Sequence, residues 1–141
     1  MPILSGENPI TQSDASQSRE EQLRESQKNA IRCARIADEY KCKDVLVLDM
    51  SLVTPIVDFF VIGTGITPRQ MRAVADEVDR VMEEHDSPRR GIEGRDSSIW
   101  VLNDYGDIVL HLFSAEAREM YNLESLWADA RLVDWKPESG N

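Results

Sequence analysis

No apolar run in this 141-residue chain approaches bilayer-spanning length, and its first residues lack the basic-then-apolar pattern of a secretory leader. A cytoplasmic protein is expected. Cysteine is scarce: Cys33 and Cys42 form no CxxC pair and are too few for a disulfide framework, so both read as free thiols. Histidine is equally scarce, and neither His85 nor His111 has metal-ligand spacing to a cysteine. A Cys–His nucleophile would need folding to bring such a pair together, which nothing in the residue order supports. Basic residues are short too, 16 Lys and Arg against 26 Asp and Glu, for a formal charge of -10. That balance disfavours nonspecific binding to phosphate backbones or anionic membranes and favours basic partners, although an acidic surface can serve solubility alone.

What is present fits one ordinary globular domain, with 41% hydrophobic and 30% charged residues and no internal repeat. Residues 1–17 are polar and read as a disordered tail, 18–136 as the folded domain and 137–141 as a frayed end. Ser18 with Glu21 can form a capping box for a helix to about Tyr40, burying Leu23, Ala30, Ile31, Ala34 and Ala37. Asp44–Asp49 and Asp58–Ile62 are compact β-branched and aromatic runs, expected as two strands of one sheet. Thr67-Pro68-Arg69-Gln70 supplies an N-cap, a first-turn proline and a reciprocal Gln, followed by an amphipathic run from Met71 to Met82. A loop over His85–Ser98 holds a short edge strand near Arg90–Glu93. Trp100–Phe113, WVLNDYGDIVLHLF, then reads as a β-hairpin turning at Asp104-Tyr105-Gly106-Asp107. Ser114 and Asn122 can each cap a short helix behind it.

Two stretches carry candidate chemistry. Gly63-Thr64-Gly65 before a capped helix could hold a phosphate on exposed amides, but it lacks both a third glycine in register and a Gly-Lys-Ser/Thr run. A tight strand-to-helix turn is the plainer reading. Asp44 and Asp49 stand five apart, so on one extended strand they point to opposite faces and cannot share a magnesium ion. At the hairpin, Trp100 and Tyr105 adjoin Asp104 and Asp107, a combination of aromatic anchors and carboxylates that suits contact with a basic partner. Asp also favours turns for its own reasons, and aromatics are more often core. His111 shares the strand face of Val109 and Phe113 and is expected packed or hydrogen-bonded.

From about Asn29 to Ala130 the chain resembles the ribosomal silencing factor family (RsfS, also called Iojap). The matching pieces are Ala37-Asp38, Lys43-Asp44-Val45, Leu48-Asp49, DFFVI from Asp58 to Ile62, Gly65, Arg69-Gln70 and Glu93-Gly94. WVLNDYGDIVLHLF, Glu116, Arg118 and Tyr121–Trp127 complete the match, while Thr67 and Asn103 depart from the usual Ser and apolar residue. The resemblance implies an α/β fold with a mixed sheet flanked by helices, nucleotidyltransferase-like but without the catalytic acids. It implies a non-enzymatic factor, without cofactor or metal, that binds the large ribosomal subunit through ribosomal protein uL-fourteen. There it would block joining of the small subunit and repress translation. It also implies a homodimer when free. By family position, Glu93, Trp100, Asp104, Tyr105 and Asp107 are expected to meet the partner, with Tyr121, Glu124 and Trp127 in the Tyr121–Trp127 segment as lesser candidates whose alternative roles are the core or a dimer contact. A nucleotidyltransferase-like enzyme and a large-subunit assembly factor are the alternatives.

Overall fold

The computed structural model describes residues 12–137. Helix α1 runs Gln12–Glu39, strand β1 Lys43–Asp49, β2 Phe59–Thr64, α2 Pro68–Glu84, β3 Gly91–Glu93, β4 Trp100–Asp104 and β5 Ile108–Phe113. Two short helices, α3 Ala115–Tyr121 and α4 Leu123–Leu126, lead to β6 Arg131–Val133. The strands form one mixed sheet in the order β3-β4-β5-β2-β1-β6. Every neighbouring pair is antiparallel except β2 with β5, which are parallel and join Phe59 to Ile108 through Thr64 to Phe113.

Alternation along the strands sorts their side chains into two cores. Val47, Val61, Val101, Leu110 and Leu112 face α1 and α2 and pack with Ala30, Ala34, Val74 and Val78 in the larger one. On the opposite face, Leu48, Ile62 and Phe113 pack with Met50, Val57 and Ala117 in a smaller core, flanked by Leu123 and Trp127. The helices therefore cover one face of the sheet fully and the other only at one side.

The helix starts differ in how they were written. At α2, Thr67 Oγ1 accepts from the Gln70 amide at 3.0 Å and Pro68 opens the helix, as its residues predict. Gln70 Nε2 also donates to the Tyr40 carbonyl at 2.7 Å, tying the end of α1 to the start of α2. Helix α1 starts at Gln12 and not at Ser18, so the expected tail over 12–17 is helical. No Pro or Gly lies between Gln12 and Glu39 to stop it, so the turn that Ser18 could have capped is continued by the residues before it. The expectations for residues 1–11 and 138–141 lie outside the described residues. Strand β6 was not anticipated; it pairs Val133 with Val47 and Arg131 with Asp49.

Candidate functional site

The half-covered sheet face carries a continuous row of rings. Tyr121 at the end of α3 lies 5.0 Å from Trp100 on β4, whose ring is 5.9 Å from His111 on β5. His111 meets Phe60 on β2 edge-on at 4.8 Å, and Phe60 meets Trp127, just past α4, at 6.2 Å. The row thus crosses β4, β5 and β2, with Trp100 also against Phe113 at 5.0 Å. His111 and Phe113 are buried and Trp100 and Phe60 half-buried, while Tyr121 is 44% exposed, and Met120, Leu126 and Ile99 are exposed around the rim. Such a surface leaves apolar area in water that a partner could cover.

Polar contacts fix the row in place. Trp100 Nε1 donates to His111 Nδ1 at 3.2 Å, which leaves Nε2 of His111 to carry the ring proton. Burial pushes the His111 imidazole down to about 4, so it is neutral at ordinary pH. Beneath α3 the buried Arg118 guanidinium donates to Thr64 Oγ1 at 2.8 Å and to Glu124 at 3.0 Å, which joins α3 and α4 to the end of β2.

Of the eight residues expected at the interface, the structure gathers some and separates others. Glu93, paired across from Leu102, and Trp100 line one depression of about 220 Å³ with Gly94, Ser97 and Leu102. Asp104 shares their strand face and is half-buried, with Oδ1 accepting from the Gly106 amide at 2.8 Å. Tyr121 and Trp127 end the aromatic row, while Glu124 is engaged with Arg118. Asp107 turns the other way, toward α1, and accepts from the Ser26 hydroxyl. Tyr105, expected at the surface with the acids of the corner, is instead buried, only 2% exposed. It stands two residues after Asn103, so alternation points both toward α2, where the phenol donates to Asp79 and accepts from Asn103 at 2.9 Å. Asn103 in turn donates to the Ala75 carbonyl, which gives the family-atypical amide a role in fastening β4 to α2.

Among the described residues, the groups that could carry the alternative chemistry are otherwise engaged. At Gly63-Thr64-Gly65 the amides are spent: Gly65 N donates to the Phe113 carbonyl at 2.7 Å and Ile66 N to Gln70 Oε1. A Cβ on Gly65 would lie 2.2 Å from Met71 Cγ, so this glycine serves close packing of the turn on α2. Asp49 accepts from Ser51 and Arg131, and although burial alone would raise its carboxyl, these partners hold it below the usual range. Cys33 and Cys42 are free and buried, and burial pushes the Cys33 thiol up to about 12 and Cys42 to about 11, far from thiolate chemistry.

The family model described as ribosomal silencing factor during starvation matches residues 23–140. The ribosomal silencing factor RsfS of Bacillus subtilis is 38% identical over 110 residues, which cover 77% of this chain and 93% of that protein. A Mus musculus relative named mitochondrial assembly of ribosomal large subunit protein 1 is 33% identical over 88 residues, 60% of this chain and 39% of that protein. Among solved structures, a Chromobacterium violaceum protein superposes with a TM-score of 0.67 at 30% identity, covering 84% of this chain and 96% of that one. With its mixed sheet matched to a solved fold and its sequence matched over most of its length, the chain belongs to the ribosomal silencing factor family.

Proposed function

We propose that the chain is a non-enzymatic, cytoplasmic translation repressor that docks on the large ribosomal subunit through ribosomal protein uL-fourteen and blocks joining of the small subunit by occupying space. The observation that supports docking is the aromatic row from Tyr121 through Trp100 to Trp127, exposed at its rim and bordered by Glu93 and Asp104. Apolar rings supply area and the carboxylates select a basic protein, while a net charge of -10 disfavours indiscriminate contact with RNA. When free, a second copy would cover the same apolar face, giving a homodimer that dissociates on docking.

Co-sedimentation with isolated large subunits tests the docking, and protein left at the top of a low-salt gradient overturns it. Glu93→Lys, on an exposed side chain, is expected to weaken binding about tenfold with an unchanged circular dichroism spectrum. The name of the mouse relative favours a second reading, a role in large-subunit assembly. A subunit-joining assay separates the two: added protein must lower the yield of joined particles from mature subunits if it silences, and must leave it unchanged if it acts in assembly alone.

A further inference from the structure

The acidic balance of the chain is locally reversed. Between Arg24 and Arg35 the sequence carries four cations, Arg24, Lys28, Arg32 and Arg35, against one acid, Glu25. Arg24 and Lys28 are one helical turn apart on α1 and lie side by side. Arg131, on the edge strand β6, faces them across a groove of about 430 Å³ between α1 and the sheet edge. The floor is apolar, with Leu23 and Ile31, and Asp49 is the one carboxylate in the lining.

These cations are lightly engaged. Arg24 makes no ion pair among the described residues, and Lys28 meets Glu25 only at 3.5 Å with the two side chains 62% and 67% exposed. Arg131 reaches Asp49 at 2.9 Å but remains largely in water. The Lys28–Glu25 pair, exposed on both sides, is weak and leaves the Lys28 charge available, while Asp49, mostly buried, takes up part of the Arg131 charge. The groove also lies at the β6 end of the sheet, whereas the aromatic row crosses β4, β5 and β2, so the two surfaces do not compete.

We propose that this groove takes the phosphate backbone of RNA, with phosphates against Arg24, Lys28 and Arg131 and a sugar or base on the apolar floor. Guanidinium forks match phosphate oxygens two at a time, and a flat apolar strip accepts any base face, so the recognition is of backbone and not of sequence. The surrounding acids repel a polyanion from other approaches and so fix its direction. The docking proposed above enters only as the source of the RNA, which is then the subunit's own.

The test is fluorescence anisotropy with a labelled oligouridylate at low salt, comparing the wild-type chain with an Arg24→Ala/Lys28→Ala variant. Both side chains are exposed, so the variant keeps the fold, which circular dichroism checks. The wild type is expected to bind and the variant to bind about tenfold more weakly, with the slope of log affinity against log salt smaller by about 1.4. Absence of wild-type binding, or equal binding by both, overturns the groove whatever happens on the ribosome. Polyglutamate competing as well as unlabelled oligouridylate also overturns it and assigns the groove to an acidic protein. In parallel, Glu93→Lys should leave oligouridylate binding unchanged while weakening subunit binding. Oligouridylate binding that persists without any subunit binding removes the docking proposal and leaves the groove standing.

Discussion

His111 is held neutral by its surroundings, and this has a measurable cost in acid. Above the ordinary imidazole range, near pH 6.5, the ring is neutral in both folded and unfolded chains and contributes nothing. As pH falls below that, the unfolded chain takes up the proton first, while the buried ring resists until about 4. Stability therefore drops through this window, by about 2 kcal/mol at pH 5 and about 3 kcal/mol below pH 4. Urea unfolding of the wild type and of His111→Phe at pH 7 and pH 5 checks it: the variant should lose less on acidification by about that 2 kcal/mol. Tyr105→Phe is the companion experiment. It removes the hydroxyl shared by Asp79 and Asn103 and should cost about 1–3 kcal/mol of stability, yet leave subunit binding intact once folded. At this scale the sequence was half legible. Alternation placed His111 correctly with Phe113, and the same rule applied one strand earlier, from Asn103 to Tyr105, carries the tyrosine inward. The corner's turn chemistry hid that, because Asp104 and Asp107 read as solvent-facing and drew Tyr105 with them.

Elements with strong local signals folded where their residues said. Thr67, Pro68 and Gln70 start α2 because the cap satisfies amides that the helix itself cannot, and Thr67→Ala should cost about 1 kcal/mol by thermal or urea unfolding. Gly65→Ala pushes a methyl into the buried Met71 side chain and should cost about 1–3 kcal/mol. Glu124→Ala strands the buried Arg118 charge, so a loss toward the low end of about 3–5 kcal/mol is expected, with α4 loosening first in hydrogen exchange. Strand β6 was illegible for a physical reason. Arg131-Leu132-Val133 is too short to show a period, and it exists because Val47 and Asp49 on β1 offer a free edge far away in sequence. The Trp135 indole, donating to the Val45 carbonyl at 2.9 Å, fastens the chain just beyond it.

Across the whole molecule, the two cores divide the labour. The larger one, under α1 and α2, holds the sheet rigid, and the smaller one leaves the aromatic row partly open on the other face. Net charge and composition pointed to a basic partner but averaged away a groove of opposite sign, which only α1 packed beside β6 brings together. The order of strands carries a further consequence, for how the chain reaches this state. The β3-β4-β5 meander and the β1-β2 pair are each built from strands near in sequence, and they meet along the single parallel pair β2–β5. Closing that seam must wait for α2, β3 and β4 to be spanned, so its loop entropy is met in the transition state. Truncating the seam by Ile62→Val is therefore expected to slow refolding more than it speeds unfolding, and the two arms of a chevron plot would show the reverse if the seam closes late.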